Sequence, residues 1–252
     1  MLKLALAAQM EMGISEMVLP AVEPVRTVPQ PDENAIAGQI IQNQEIYMAA
    51  KKAEKVSQAA IPLFQDPSFE NIEEHYRATC NCQKCPLGST RTNFVYGVGN
   101  PQADLMFIGE APGAEEDRQG KPFVGRAGKL LDQILAAIKL TRDEVYICNI
   151  LKCRPPGNRD PQPDEMAQCF PHLREQVRII RPKLICALGR IAAQALLQTS
   201  TPLGKLRNRW HEYEGVPLWI TYHPAALLRF PAYKRDTWED MKTLKARYDE
   251  LK

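Results

Sequence analysis

The sequence predicts an α/β fold: a three-layer α/β/α sandwich around a mostly parallel four-stranded sheet. Two observations support this prediction. Apolar runs at 104–108, 144–151, 183–189 and 216–222 have the length and composition of buried strands. Amphipathic stretches lie between those runs, and strands that alternate with helices form a sheet covered by helices on both faces.

The compact region is predicted to begin near Phe69. Its first recognisable feature is the cysteine-rich segment at 80–88, called the knuckle below. A strand is predicted at 94–98, before the strand at 104–108. The helix predicted at 127–139 has an apolar stripe that faces the sheet, formed by Leu130, Leu131, Ile134, Leu135 and Ile138.

A turn-rich loop follows the strand at 144–151 and leads into a helix that starts near Pro163, because proline suits a first helical turn. Pro171 is expected to kink or interrupt that helix. A short helix follows the strand at 183–189. A hairpin with Glu214 and Gly215 at its turn then leads into a loop that carries His223. A charged helix over 233–251 closes the chain.

Residues 1–68 are predicted to form an N-terminal extension, and residues 69–252 the folded domain. The extension combines two helical stretches with a Pro-rich segment between residues 20 and 31. We interpret it as a flexible tail, with a docking segment for a protein partner as the alternative. No internal repeat is visible.

Composition limits the class of protein. The chain has 252 residues and a formal net charge of +2, so its totals do not indicate a nucleic-acid-binding protein. Its apolar runs are too short to span a bilayer, and its N-terminus does not resemble a secretory signal. Seven cysteines in a pattern unlike a disulfide framework indicate a cytoplasmic protein with thiolate-bound metal.

The cysteines divide into two groups. Cys148 and Cys186 lie inside apolar strands, where cysteine behaves as a small buried hydrophobe, and Cys80 is a competing ligand candidate. A C-x2-C pair and two downstream cysteines are the preferred ligands: Cys82, Cys85, Cys153 and Cys169. Four thiolates suit an iron–sulfur cluster and structural zinc about equally.

The stretch from 107 to 128 predicts the position of the functional site. An apolar strand stops at Gly109 and Glu110, and a Gly- and Pro-rich loop then leads into a helix. Open α/β sheets build their sites at the carboxyl ends of such strands. Glu110 is therefore expected at the mouth of a crevice.

The ordered motifs resemble family 4 uracil-DNA glycosylases, bacterial and archaeal repair enzymes that contain a [4Fe-4S] cluster. The resemblance covers roughly residue 75 to residue 248 and rests on C-x2-C, RTN-x-V, GEAPGAEED, GKPFVGRAG, N-x3-C-RPPGNRDP, a later cysteine and HPA-x-LLR. It implies an enzyme that acts on uracil in single- or double-stranded DNA. It also implies that the cluster is bound by the four preferred cysteines. A monomer is the default expectation for the oligomeric state.

The resemblance assigns roles within the site. Phe123 would stack under the flipped uracil, and Asn149 would recognise its O4/N3 edge. His223 would donate a hydrogen bond to uracil O2 as negative charge develops there. Glu110 would position or deprotonate water and stabilise the cationic sugar. The catalytic and uracil-binding candidates are Glu110, Asn149, His223, Phe123, Gly109 and Ala111.

DNA binding is expected to come mostly from phosphate contacts by basic loops. An apolar wedge, either Leu227 or Leu228, would fill the gap that the flipped base leaves in the base stack of the DNA. The basic candidates are Arg154, Arg159, Lys205, Arg207, Arg209 and Arg229. By contrast, Glu115, Glu116 and Asp117 would repel phosphates. They are expected to be solvated or paired with Arg118 or Lys121.

Two departures from the family pattern are visible. Ala225 follows the His-Pro pair where the family usually has serine, which removes a hydroxyl from this motif. The loop after Cys153 lacks the basic, His-containing insertion of relatives that bond covalently to uracil-DNA, so turnover is expected. Glu110 also argues against family 5, whose members lack a polar residue there.

Two other classes of protein compete with this interpretation. A non-catalytic nucleic-acid-binding protein with structural zinc would be colourless, whereas a cluster makes protein brown. An electron carrier would leave Glu110, Asn149 and His223 without a function. We expect a monofunctional glycosylase, because no lysine is placed for Schiff-base chemistry.

Overall fold

A computed structural model describes residues 69–251 of the chain. The predictions for residues 1–68 lie outside the described residues, so the extension and its boundary stay predictions. Within the described part, no helix is long and apolar enough to cross a membrane.

The described residues contain a six-stranded sheet with the order β1-β3-β2-β4-β6-β5. The strands are β1 (Val98–Gly99), β2 (Leu105–Gly109), β3 (Tyr146–Asn149), β4 (Leu184–Leu188), β5 (His211–Tyr213) and β6 (Val216–Thr221). The inner four strands are parallel, and β1 and β5 pair antiparallel at the edges. The predicted count of four therefore matches the parallel part, but it is wrong for the whole sheet.

The described helices connect or flank these strands. They are α1 (Ile72–Thr79), α2 (Leu87–Thr90), α3 (Ala114–Gln119), α4 (Arg126–Ala137), α5 (Pro163–Ile180), α6 (Arg190–Leu197), α7 (Leu203–Leu206), α8 (Pro224–Arg229) and α9 (Tyr233–Glu250). A single 3-10 turn covers Pro156–Asn158.

The period-two alternation of the strands produces the three predicted layers. Met106 and Ile108 of β2 face one side, where they pack with α5 and α6. Leu105 and Phe107 face the other side, where they pack with α4 and α9. The sheet is thus buried on both faces, which explains why its strands are almost entirely apolar.

Two local predictions differ from the structure: the strand at 94–98 and an interruption of the helix at Pro171. The strand expected at 94–98 shrinks to β1, because Phe94 and Tyr96 pack into a separate apolar cluster beside the cysteines. Helix α5 continues through Pro171 without a break. Leu173 and Gln176, which follow Pro171 in this helix, are completely buried. Tertiary packing of this kind stabilises the helix although Pro171 lacks a backbone N–H.

The hairpin prediction was correct. Glu214 and Gly215 connect β5 to β6, and both have positive φ, 48° and 81° respectively. Positive φ at both central residues is characteristic of the type I′ turn, whose backbone twist matches that of the two hairpin strands. The hairpin ends at Thr221, which leaves Tyr222 and His223 at the carboxyl edge of the sheet.

Candidate active site

Three of the predicted site residues meet where β2 and β3 end. Gly109 pairs with Asn149 in the parallel register. A Cβ on Gly109 would lie 2.4 Å from Asn149 Oδ1 and 2.6 Å from Phe123 Cζ. Only glycine leaves room for both side chains, and the site around Gly109, Asn149 and Phe123 is called the pocket below.

Asn149 presents an unsatisfied polar atom to this pocket. Its Oδ1 is buried and has no hydrogen-bond partner among the described residues. Leaving a buried polar group unpaired costs about 1–3 kcal/mol. The backbone of the same residue is bonded as well: the buried Lys152 Nζ donates to the Asn149 carbonyl at 2.7 Å and to Gln176 Oε1 at 2.5 Å. The backbone of Asn149 is therefore held in place while its amide oxygen lacks a donor.

Phe123 is held by its backbone. It adopts a φ of 54°, and its carbonyl accepts a hydrogen bond from the Arg142 guanidinium. A Cβ on Gly128 would come within 1.8 Å of that carbonyl oxygen, so glycine lets α4 approach the loop. The Phe123 ring is buried, and its centroid lies 5.5 Å from that of His223. Phe123 and His223 thus line the same pocket.

His223 has a defined tautomer. It is the N-cap residue of α8, and its Nδ1 accepts a hydrogen bond from the Ala225 N–H at 3.1 Å. Burial lowers the pKa of His223 to about 4, and the nearby Arg229 adds to this effect. The neutral ring therefore has its proton on Nε2, which is a donor. The Ala225 side chain takes no part in this contact.

Glu110 follows β2 directly and is partly buried. Burial raises its pKa to about 7, and the carboxylate of Asp160 contributes to the rise, whereas Arg190 and Arg229 oppose it. A carboxyl group with a pKa near the working pH is suited to accept a proton from water. The structure therefore places a candidate base beside the pocket.

The acidic run after Glu110 differs from the expectation in two places. Glu115 pairs with Arg118 as expected. Glu116 instead accepts hydrogen bonds from Val124 N and Gly125 N, both at 2.9 Å. Asp117 is buried and accepts from the backbone N–H groups of residues 92 and 93. Glu116 therefore holds the residues that follow Phe123, and Asp117 ties α3 to the segment at residues 92 and 93.

The four preferred cysteines lie in one neighbourhood. Cys153 and Cys169 belong to a buried cluster against which Cys82 and Cys85 pack, and Cys80 packs there as well. Burial raises the pKa of Cys153, Arg91 opposes the rise, and the sulfurs of Cys85 and Cys82 strengthen it. The chain therefore brings the knuckle, the loop after β3 and helix α5 to the same place.

Nitrogen groups approach three of these sulfurs. Arg91 Nη1 donates to Cys153 Sγ at 3.2 Å, and Lys152 N donates to Cys169 Sγ at 3.3 Å. His172 Nε2 lies 3.3 Å from Cys82 Sγ. Such contacts suit ligating thiolates, whose second shell is usually hydrogen-bonded. All seven cysteines are free thiols, although no group of three or more in the described part is arranged to hold a metal ion.

The predicted basic residues separate into different environments. Lys205 and Arg209 are exposed, whereas Arg154 bonds to Asn158 and Arg159 makes two contacts with the buried Glu165. Arg207 contradicts its prediction as a DNA contact. Its guanidinium is buried and paired with Asp240, so it is not available to a phosphate.

The structure also distinguishes the two wedge candidates. Leu227 is buried under α8, whereas Leu228 is 44% exposed and Arg229 beside it is exposed. Of the two, Leu228 presents its apolar side chain at the surface.

Sequence reasoning missed the contacts of Asp160, Lys152 and Glu116. These residues lie within the motifs, but a motif does not show which distant groups they contact.

The family model of the uracil DNA glycosylase superfamily matches residues 96–242. A type-4 uracil-DNA glycosylase from Archaeoglobus fulgidus is 44% identical over 70% of this chain and 92% of its own length. Enzymes of the same name from Sulfurisphaera tokodaii and Pyrobaculum aerophilum are 43% and 44% identical, over 71% and 68% of this chain and 84% and 91% of their own lengths.

Proposed function

Because the chain belongs to the uracil DNA glycosylase superfamily, we propose that it is a DNA repair enzyme that flips uracil out of DNA. It hydrolyses the bond between uracil and deoxyribose and leaves an abasic site, so it acts in base excision repair. Flipping costs a few kcal/mol, which a fitted pocket offsets. Its DNA substrate and its hydrolase class follow from the same relatives.

The observation that supports this function most directly is the unsatisfied Asn149 Oδ1. Uracil presents an N3–H donor next to the O4 acceptor, so an amide can pair with both. Cytosine has an acceptor at N3 and would leave Oδ1 unpaired. A buried group that is satisfied only by the correct base is a strong source of discrimination.

We assign the chemical step to groups around this pocket. The C1′–N1 bond breaks with its electron pair going to uracil, and negative charge develops on O2. The His223 Nε2–H, whose tautomer follows from the Ala225 contact, would donate to O2 and stabilise this anion. Stacking on Phe123 would hold the base while the sugar becomes cationic.

Glu110 would complete the reaction. Its carboxylate would accept a proton from the water that attacks C1′, and its negative charge would stabilise the sugar cation. Strand cleavage is not expected, because Lys152 is buried and its Nζ donates to the Asn149 carbonyl and to Gln176. Glu110 then releases its proton and the uracil anion takes one up, so the products are uracil and an intact strand with an abasic site.

We further propose that a [4Fe-4S] cluster is held by Cys82, Cys85, Cys153 and Cys169. Thiolate donors and the N–H groups that approach their sulfurs fit such a cluster. When bound, the cluster would cross-link the knuckle, the loop after β3 and helix α5. The chemical step needs no electron transfer, so this role is structural.

Replacing Cys169 by Ser should remove the cluster, because one of its four thiolates is lost. Purified without oxygen, the variant should lack the brown colour and contain less than one iron per chain, where the unmodified protein contains about four. Cys186→Ser is the control, since Cys186 lies in β4 away from the site. A brown Cys169→Ser protein with full iron content would contradict this ligand set.

DNA contacts are proposed for the exposed or partly exposed basic side chains and for the Leu228 wedge. The residues are Arg154, Arg159, Lys205, Arg209, Leu228 and Arg229.

We propose that the protein is a monomer. We also propose that it is located in the reducing cytoplasm, because cysteines outside disulfides persist there.

The function is tested by base release from a uracil-containing oligonucleotide. Asn149→Ala should slow release by about 10- to 100-fold, because hydrogen bonds worth about 1–3 kcal/mol are lost. The variant should not melt at a lower temperature, since it removes a polar atom that has no partner in the described residues.

Alkali should cut the unmodified enzyme's product at the uracil position, and no cut should appear without alkali. Intact DNA after alkali would contradict the proposed function. A normal release rate by Asn149→Ala would instead contradict only the role of Asn149.

A further inference from the structure

A run of exposed residues follows the His223 loop, and beyond Leu228 and Arg229 it has no role in the function proposed above. Residues 228–236 are all exposed, and they connect α8 to α9. Phe230 is 56% exposed and Tyr233 is 36% exposed. Large aromatic side chains at a surface next to a catalytic loop indicate a binding function.

These two rings continue a stack that begins inside the protein. The Arg207 guanidinium lies 4.0 Å from the centroid of the Tyr222 ring. Tyr222 and Tyr233 stack with centroids 4.3 Å apart and an interplanar angle of 4°. Phe230 lies 5.7 Å from Tyr233 at the outer end. The series leads from a buried cation to an exposed ring.

The inner end of the stack is rigidly held. Arg207 donates to Asp240 Oδ2 through Nε and Nη2 at 3.0 and 2.8 Å. Thr221 Oγ1 donates to the same oxygen at 2.6 Å, which ties the end of β6 to α9. Tyr222 directly precedes His223. The aromatic stack is therefore fixed relative to the catalytic loop, and a ligand on it would lose little side-chain entropy.

Charge around the stack favours one class of ligand. Arg229, Lys234 and Arg235 are exposed in the same run, with one exposed acidic residue, Asp236, at its end. Asp236 lies 3.6 Å from the buried Arg207. Exposed aromatic rings combined with cations are typical of sites that bind unpaired nucleic-acid strands, where bases stack and phosphates contact the cations.

We propose that Phe230 and Tyr233 form a stacking platform for an unpaired base of the uracil-containing strand, adjacent to the flipped uracil. This inference rests on the proposed function and adds a subsite to it. Arg229, Lys234 and Arg235 contact the phosphates of the same strand. The platform makes uracil in single-stranded DNA a preferred ligand, because a neighbouring base is free to leave its stack there.

A direct test uses a single-stranded oligonucleotide that contains a non-hydrolysable 2′-fluoro-deoxyuridine with 2-aminopurine beside it. Stacking on a protein ring quenches 2-aminopurine fluorescence. The unmodified protein should quench it on one side of the uracil. Phe230→Ala should abolish the quenching and weaken binding by about ten-fold.

Two further variants make the test specific. Phe230→Leu keeps apolar bulk but has no ring face, so it should lose quenching as the alanine variant does. Trp238→Ala removes another exposed aromatic side chain of α9, and it should leave quenching and affinity unchanged. Trp238 is 43% exposed.

The inference fails if the unmodified protein does not quench the probe, or if Phe230→Leu binds and quenches normally. The second result would mean that the Phe230 ring is not the surface on which the neighbouring base stacks. Uracil release is measured separately on a hydrolysable oligonucleotide. Release without quenching overturns the platform alone, whereas no release overturns the proposed function.

Discussion

Replacing Glu110 by Gln is expected to slow uracil release by about 10²–10⁴-fold. Glutamine has nearly the same shape, but it cannot accept a proton from water or place negative charge beside the sugar cation. DNA binding should remain, because Glu110 is not among the proposed phosphate contacts. Single-turnover rates with saturating enzyme would separate the chemical step from binding.

The pH dependence of the unmodified enzyme tests the same role. Burial raises the pKa of Glu110 to about 7. Since the carboxylate is the active form, the rate should fall as pH drops below about 7. Asp160→Asn removes a negative charge that raises this pKa, and it frees Arg190, which lowers it. The acid limb should therefore move to lower pH in this variant.

A matched control is Asp249→Asn, which removes an exposed aspartate that is also in an ion pair, with Lys245. Its pH profile should coincide with that of the unmodified enzyme. An acid limb that stays in place in Asp160→Asn, or a Glu110→Gln enzyme with the normal rate, would contradict the assignment of Glu110 as the titrating group.

Replacing His223 by Asn is expected to slow the reaction by about 10²–10³-fold, the usual cost of one lost donor to a developing oxyanion. Asparagine is a favourable N-cap residue, so α8 should keep its start although the Nε2–H donor is gone. The melting temperature should therefore change little. Measurement of both quantities on the same preparation separates catalysis from folding.

The His223 contribution should not vary with pH between 6 and 9. Burial lowers the pKa of His223 to about 4, so the ring is neutral across that range. The ratio of unmodified to variant rates should then be constant. A ratio that changes around pH 6.5 would mean that a charged imidazole takes part, which would contradict the neutral-donor mechanism.

The family departure at Ala225 is explained by geometry. Residue 225 contacts His223 through its backbone N–H, and any residue except proline supplies that group. The hydroxyl that family members usually have is not needed to set the histidine tautomer. The sequence could not show this, because a motif lists side chains and says nothing about which backbone groups are used.

The layers of the fold could be predicted because burial on both faces leaves a clear signal. Each parallel strand is a short apolar run, and each covering helix has an apolar stripe. The edge strands are less visible in the sequence. β5 was predicted only through the turn residues of its hairpin, and β1 was predicted at the wrong residues, because strands of three and two residues are too short for any periodicity to appear.

The sequence by itself predicts the candidate residues of the site. Glu110 directly follows an apolar strand, Asn149 ends one and His223 comes two residues after one, and parallel strands end at one edge of the sheet, so topology places all three at that edge. Only the tertiary structure decided that Arg207 supports an aromatic stack instead of contacting phosphate. It also decided that Asp160 tunes Glu110. Such roles depend on through-space distances between distant segments, and local residue patterns do not encode those distances.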